Sequence, residues 1–272
     1  MATFAPVVFA SLLELLGSGT PTPVALYGNH FVGNAAPIIL NKNLGQKTKQ
    51  LNFREFAVLH SGVSRTPIWS AEHLTVQRLE DAHEVKRKNT FHAQQNLPPE
   101  ARAELDDYVR SGYDRGHLSP AGDMGSIDGQ YESFSLANII PQHPKNNQVL
   151  WQGIEDATRN LAMREGELYV VTGPLFEGQN LRRLNGRVLV PTAVFKAIYA
   201  PASGQAGAYV TANAPGMSYQ TLSITDLQTR SGINIFPTLP QEIKNQKMRL
   251  PVPTPYNNRG HNTPIETESL PN

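Results

Sequence analysis

Short strand-like runs joined by tight turns are the feature that most limits how this chain can fold. The runs at 56–60 and 67–71 flank a loop with the sequence SGVSR, which predicts the two strands of a hairpin. Further strand-like runs occupy 168–172, 188–199 (interrupted by a proline) and 208–212. Because long helices do not separate successive strands, the pattern predicts an α+β fold with a central, mainly antiparallel sheet flanked by helices.

Helical segments are expected between and after these strands. A proline pair opens a predicted short helix over 98–109, and residues 224–230 form another that ends at Gly232. Residues 241–248 form a third helix. Residues 74–79 are expected to continue the sheet.

Changes in composition divide the chain into three parts. These are an N-terminal extension with a short helix and loops (1–50), a central domain (51–250) and a proline-rich tail (251–272) that is predicted to be extended or disordered. The apolar run at 6–16 lacks a basic flank and contains Glu14, so it is a poor signal peptide. It is expected to be a helix packed on the domain, or the start of a chain whose leader was removed.

Composition excludes several classes of site. The chain has 272 residues, a formal net charge of +1 and no cysteine, which excludes disulfides, thiolate zinc sites and cysteine nucleophiles. No apolar run reaches the roughly eighteen residues that are needed to span a bilayer. A nearly neutral chain binds a polyanion only through local basic clusters, such as Lys86, Arg87 and Lys88.

A histidine beside a glycine marks the first candidate site. In the sequence DRGH at 114–117, Gly116 permits a close approach of backbone or substrate to the imidazole of His117. Phosphodiester hydrolysis needs a base, because water with a pKa of about 15.7 is a poor nucleophile at neutral pH, and it needs a group that absorbs charge on the phosphate. A neutral histidine is a suitable general base.

A downstream helix supplies the second candidate site. Asn147, Trp151 and Glu155 recur at i, i+4 and i+8, so an α-helix places them within about 80° of one face. Asn147 and Glu155 are then roughly 12 Å apart along the axis, which does not suit direct ligation of one ion by both. An Asn ligand with a Glu that holds water around the ion fits better, and magnesium suits this arrangement because it retains several waters. Zinc is disfavoured because the histidines show no zinc spacing.

These motifs resemble those of the DNA/RNA non-specific endonuclease family, which includes sugar-non-specific bacterial nucleases and endonuclease G. The resemblance runs from about residue 53 to 237, and it rests on DRGH at 114–117, LANIIPQ at 136–142, Asn147 nine residues after Asn138, and Glu155 eight residues later. It implies a ββα-metal (His-Me finger) active site, which makes 51–250 a nuclease domain.

The resemblance also implies a role for each candidate residue. His117 corresponds to the general base, Asn147 to the single protein ligand of Mg²⁺, with Mn²⁺ as a substitute, and Glu155 to the carboxylate that holds a water of the ion. Arg87 corresponds to the arginine that contacts the phosphate and steadies its charge.

Three further residues match family positions with less defined roles. Arg115 is expected to bind substrate or support the structure, Asn138 to be a catalytic position and Gln142 to be a substrate-binding position.

The expected function is Mg²⁺-dependent hydrolysis of phosphodiester bonds in double- and single-stranded DNA and RNA, which leaves 5′-phosphate products. No membrane association is expected, and a homodimer and an inhibitor or immunity protein remain open as partners. Because the family is often exported, a periplasmic or secreted location is expected, although no leader is evident. The alternatives are a toxin-type effector neutralised by an immunity protein, a silent binding module, and a metal-independent hydrolase that uses a carboxylate pair from Asp114, Glu132 or Glu155.

Overall fold

A computed structural model describes residues 29–256, so the apolar run at 6–16 and the end of the tail lie outside the described residues. The strands are β1 (Ile38–Ile39), β2 (Thr48–Asn52), β3 (Ala57–Ser61), β4 (Thr66–Thr75), β5 (Asp114–His117), β6 (Ile139–Gln142), β7 (Glu167–Leu175), β8 (Arg183–Leu184), β9 (Val188–Leu189), β10 (Ala193–Ala200), β11 (Gln205–Ala212), β12 (Tyr219–Leu222) and β13 (Ile233–Asn234). The helices are α1 (Val76–Glu84), α2 (Ile127–Ser133), α3 (Gln152–Glu165), α4 (Ile224–Ser231) and α5 (Gln241–Asn245). A π-helical turn over Asn146–Trp151 runs directly into α3.

A seven-stranded sheet forms the centre of the fold. Its order is β12-β11-β10-β7-β4-β3-β2, and every neighbouring pair is antiparallel. The predicted hairpin is confirmed as β3 and β4, and the interrupted run at 188–199 is confirmed as β9 and β10. β2 begins just before the predicted domain boundary at residue 51, and β1 pairs with β13. The predicted α+β class with a mainly antiparallel sheet is therefore confirmed.

Each face of the sheet has its own hydrophobic core. Successive residues of a strand point to opposite faces, and both faces are covered, so β10 is buried along most of its length. On one face, Trp69 lies in a buried cluster with Leu227 of α4. On the other face, Ile198 lies in a cluster with Trp151 and Leu161 from the π-helical turn and α3. Full burial of one such side chain stabilises the fold by about 1.5–3 kcal/mol, so this cluster anchors the helix beneath the site.

The passage from β4 into α1 corrects the prediction that residues 74–79 continue the sheet. The strand ends at Thr75, whose side-chain oxygen accepts a hydrogen bond from the backbone N–H of Arg78 at 3.2 Å. A threonine in this position satisfies a donor that the first helical turn leaves free. The cap residue, and not the apolar pattern, therefore marks the change from strand to helix.

The predicted helix over 98–109 is wrong, whereas α4 and α5 confirm the two later helices. Only Leu105–Tyr108 forms a short 3₁₀ turn, because Glu104 and Asp107 bond reciprocally to each other's backbone N–H groups and close the turn locally. α4 ends as predicted at Gly232, which has the left-handed conformation with φ of 70°.

The first residues of the predicted tail are extended and packed. The backbone N–H of Tyr256 donates to the carbonyl of Val149 in the π-helical turn at 3.1 Å, and the hydroxyl of Tyr209 donates to the carbonyl of Pro251 at 2.5 Å. Because Gly153 has no side chain, the backbone at Thr254 can pass in close contact with α3. Within residues 29–256, no helix has the length and apolar character to cross a membrane.

Candidate active site

A two-stranded ribbon and the helix that follows it bring the predicted residues together. β5, which carries DRGH, pairs antiparallel with β6, and Gly116 lies opposite Ile140. Gln142 of β6 passes so close to Gly116 that a Cβ there would overlap the Gln142 amide oxygen. The other end of the same amide donates to Asn146 Oδ1 at 2.8 Å. The ribbon is thereby fastened to the π-helical turn.

Asp114 joins the two sequence motifs directly. Its Oδ2 accepts hydrogen bonds from the side-chain amides of Asn147 at 2.9 Å and Gln148 at 2.8 Å. Because the amide nitrogen of Asn147 is engaged, its carbonyl oxygen is the end that is available for a ligand. Gln148 was not among the predicted residues, although its position next to Asn147 in the sequence indicates that it lies near the site.

The imidazole of His117 is buried beside two aromatic rings. Only 8% of the residue is exposed, and its ring centroid lies 4.8 Å from that of Phe134 and 5.4 Å from that of Phe91. Burial, assisted by the positive charge of Arg87, lowers the pKa of His117 to about 3. Its Nε2 has no hydrogen-bond partner among residues 29–256. The imidazole is therefore neutral at physiological pH.

Two arginines lie over the same aromatic rings. The guanidinium of Arg87 lies 5.3 Å from the centroid of Phe134, and its Nε donates to Asn89 Oδ1 at 3.0 Å. The guanidinium of Arg115 lies 4.4 Å from the centroid of Phe91. Cation–π contacts of this kind fix the plane of a guanidinium without using its donors.

An open cleft brings together the two arginines and the Asp114–Asn147 pair. It has a volume of about 430 Å³, and its lining includes Arg87, Asp114, Arg115 and Asn147. Both arginines and Asn147 therefore border one space.

Asn138 and Gln142 are fully buried and are not among the residues that line the cleft. The Asn138 side chain accepts from the backbone N–H of Ser119 at 3.1 Å and donates to the carbonyls of Ser119 and Ser133 at 2.8 and 2.9 Å. Gln142 holds Asn146, as described above. The geometry places both residues where they support the ribbon, which differs from the expected catalytic position of Asn138 and substrate-binding position of Gln142.

Glu155 lies in a cluster of charged side chains under the helix. Arg159, one helical turn later, contacts Asp123 and Asp156 at 2.6 Å each. Burial raises the pKa of Glu155 to about 7, and the charges of Arg159 and Lys196 oppose this rise. Arg159 was not among the predicted residues, although its i, i+4 spacing from Glu155 indicates that the two side chains lie on one face of the helix.

The same cluster extends onto the sheet. Lys196 is buried and donates to Thr172 Oγ1 at 2.9 Å, and Arg78 contacts the buried Glu72 at 3.2 Å. Burial, with a contribution from the charge of Asp123, raises the pKa of Glu72 to about 8.

Two histidines outside the site are also buried. His30 and His60 bond through Nε2 to the backbone carbonyls of Phe53 and Ala101, at 3.2 and 2.8 Å. Burial lowers the pKa of each to about 4. They do not belong to the site, but like His117 they are uncharged at neutral pH.

The residues of the cleft fit a hard divalent cation with few protein ligands. No group of three or more His, Cys, Asp or Glu side chains within 29–256 is arranged to hold a metal, which argues against a closed zinc site in this part of the chain. The oriented carboxamide oxygen of Asn147 beside the Asp114 carboxylate is instead the oxygen chemistry that magnesium prefers.

Comparisons with known proteins identify the family of the chain. The family model described as DNA/RNA non-specific endonuclease matches residues 34–242. The chain is 37% identical over 200 residues to "Nuclease EXOG, mitochondrial" of Danio rerio, which covers 65% of this chain and 58% of that protein. It is 29% identical over 226 residues to "Nuclease C1" of Cunninghamella echinulata var. echinulata. The alignment covers 76% of this chain and 90% of that protein. The matched region thus spans less than two thirds of the EXOG relative.

A solved structure and a further relative complete the comparison. The EndoG/EndoGI complex superposes with a TM-score of 0.63 at 24% identity, covering 73% of this chain and 91% of that one, which supports the same fold. "Mitochondrial nuclease" of Saccharomyces cerevisiae is 36% identical over 166 residues, covering 56% of this chain and 50% of that protein. The predicted periplasmic or secreted location is wrong, because several relatives are named mitochondrial nucleases. The ribbon, the helix and the match over residues 34–242 together establish that the chain belongs to the DNA/RNA non-specific endonuclease family.

Proposed function

We propose that the chain is a magnesium-dependent endonuclease that hydrolyses phosphodiester bonds of DNA and RNA. The observation that carries the proposal is the connection between the two motifs: Asp114, three residues before the neutral His117, holds the amide of Asn147 at 2.9 Å. A buried base and an oriented oxygen ligand on one small ribbon-and-helix unit are what metal-assisted hydrolysis requires.

Asn147 is the residue that would hold the ion, through its side-chain carbonyl oxygen, with Mn²⁺ as a substitute for Mg²⁺. Such an ion supplies positive charge that stabilises the phosphate and the leaving oxygen. Glu155, whose pKa lies near 7, would be shifted toward its ionised form by a cation nearby, because opposite charge favours the charged state.

His117 accepts the proton of the attacking water through its imidazole ring. An imidazole with a pKa of about 3 is a weak base, but part of the lowering comes from the charge of Arg87. A bound phosphodiester neutralises that charge, so the His117 pKa rises when substrate binds. Burial is the larger cause of the lowering, so this rise is partial and the imidazole stays neutral until it takes the proton.

Arg87 binds the phosphate and steadies the charge that develops on it, and Arg115 presents a second guanidinium to the same cleft. Asn138 and Gln142 act as positioning residues, because their amides hold the loop before α2 and the π-helical turn. Phosphate contacts carry no sequence information directly, so this set of groups suits a nuclease without base specificity. By similarity to the family, we expect 5′-phosphate products.

A gel assay with chelator tests the proposal. Circular plasmid, linear DNA and RNA are each incubated with the protein and Mg²⁺, with and without EDTA. We expect the closed circle and the RNA to be cleaved in Mg²⁺ and to remain intact in EDTA. Hydrolysis that persists in EDTA would indicate the metal-independent carboxylate-pair alternative, and binding without cleavage would indicate a silent module.

A magnesium titration tests the ligand. The Asn147→Ala variant should need far more Mg²⁺ for half-maximal cleavage. Asn160→Ala, in the helix α3 that follows the π-helical turn, is the control and should need the same amount as the parent. An unchanged titration for Asn147→Ala would refute the assignment of the ligand.

We also propose a mitochondrial location, by similarity to the relatives whose names carry that word. The toxin-type role, the homodimer and the inhibitor partner stay predictions. Fluorescence microscopy of the tagged chain with a mitochondrial marker would test the location.

A further inference from the structure

A second groove lies beside the cleft and shares Arg87 with it. It has a volume of about 860 Å³, twice that of the cleft, and it runs between the segment that follows α1 and the helix α2. The groove therefore begins at the arginine that we propose to bind the phosphate.

Two large side chains of α2 line this groove and are exposed. Ile127 is 78% exposed and Tyr131 is 52% exposed. The ring of Tyr131 stacks on that of His92, with centroids 4.5 Å apart and planes within 9°, and His92 bonds through Nδ1 to the carbonyl of Thr90 at 2.8 Å. The Tyr131 ring is thus an oriented aromatic surface at the edge of the groove.

The edge of the groove opposite Tyr131 is basic where it meets the cleft. Lys86, Arg87 and Lys88 are exposed, and the backbone N–H of Lys88 donates to the Gln130 side chain at 2.8 Å, which fastens this segment to α2. Asp81 and Glu84 also line the groove, on the side of α1. Positive charge is therefore concentrated in the three residues around Arg87.

We propose that this groove binds the nucleotides that adjoin the scissile phosphate on the same strand. Lys86 and Lys88 contact backbone phosphates, and a base stacks on Tyr131. The inference rests on the proposed function, because continuity with the cleft through Arg87 and the basic edge are what favour a nucleic acid strand over a protein. Stacking accepts any base, so such a subsite adds affinity without adding sequence preference.

Binding in chelator tests the subsite apart from catalysis. The wild-type chain in EDTA is titrated into a fluorescein-labelled oligothymidylate of about twelve nucleotides, and anisotropy is measured. Tyr131→Ala should weaken binding about tenfold, which is within the range found for loss of one base–aromatic stack, and Tyr131→Phe should bind like the parent. Tyr256→Ala, which removes a tyrosine of similar exposure (45%), is the matched control and should change nothing.

The charges of the groove give a second readout. Lys88→Ala should lower the slope of log affinity against log salt by about one, as expected for loss of one phosphate contact, whereas Lys42→Ala should not. Glu84→Gln should tighten binding, because it removes a charge that repels phosphate.

Parent-like binding by both Tyr131→Ala and Lys88→Ala would overturn the subsite. If light scattering showed instead that Tyr131→Ala dissociates a dimer while binding is unchanged, the groove would be a contact between copies, which also overturns it. Failure of the proposed function is separate, because it appears as missing cleavage in Mg²⁺ or as cleavage of the oligonucleotide in EDTA.

Discussion

A methyl group added at Gly116 should disable the site without removing any functional group. A Cβ at this position would overlap the amide oxygen of Gln142 and lie 2.6 Å from its Cβ. Gln142 is fully buried and holds Asn146, the residue before the proposed metal ligand, so it cannot move aside without displacing the π-helical turn.

The expected size of the effect follows from this crowding. Overpacking of a buried position costs about 1–3 kcal/mol in free energy of unfolding, and for a domain of this size each kcal/mol lowers Tm by roughly 2–4 °C. We therefore expect Gly116→Ala to melt roughly 2–12 °C below the parent. A misplacement of about 1 Å costs on the order of a hundredfold in rate, so plasmid cleavage should fall by about that factor.

Differential scanning fluorimetry and plasmid nicking at saturating Mg²⁺ measure the two effects. Gly45→Ala is the control, because a Cβ at Gly45 would meet its nearest atom at 3.6 Å, an ordinary contact. A Gly116→Ala variant that melts and cleaves like the parent would refute the reasoning, since it would mean that Gln142 moves without consequence.

Three further predictions concern the carboxylate, the titrating groups and the tail. Asp114→Ala removes the acceptor that orients Asn147, so Mn²⁺ affinity measured by electron paramagnetic resonance should fall about tenfold, as expected for a hydrogen bond to a charged group, and unchanged affinity would contradict this. Below pH 6.5 the histidines of the unfolded chain bind protons, whereas the three buried histidines of the folded chain do not, so stability falls as pH falls. Above pH 6.5 the folded chain keeps protons on the two buried glutamates whose pKa is raised, so stability falls as pH rises. Tm should therefore be highest near pH 6.5, and a Tm that rises steadily from pH 6.5 to 8 would count against these pKa shifts. Gly153→Ala places a Cβ against the Thr254 carbonyl, so limited proteolysis should cut at 251–256 faster than in the parent, and equal rates would show that this packing is not needed.

The strands and the proposed site residues could be predicted from the sequence because their signals are local. Runs of apolar and β-branched residues mark the strands of the sheet, and the DRGH sequence with Asn147 at a fixed interval marks the ribbon and helix. The start of α1 was missed because its signal is the cap residue Thr75, whereas the apolar pattern suits strand and helix equally.

The remaining features depend on tertiary structure. The burial of Asn138 and Gln142 depends on the pairing of β5 with β6 and on side-chain contacts with Ser119, Ser133 and Asn146. The environment of Glu155 depends on Glu72 and Lys196, which lie on separate strands and meet only across the assembled sheet. The π-helical turn, which has one more residue between bonded groups than an α-helix, likewise has no marker in the residue types.

Chemical rescue of the His117→Ala variant is the most direct test of the central claim, which is that a neutral imidazole at His117 accepts the proton of water. The variant, checked by circular dichroism, is assayed for plasmid cleavage in Mg²⁺ with added imidazole over a range of pH. We predict that cleavage is lost in the variant, returns with imidazole, and increases as the fraction of neutral imidazole increases. Cleavage by the variant at the parent rate without imidazole, or a rescue that declines as pH rises, would contradict the claim.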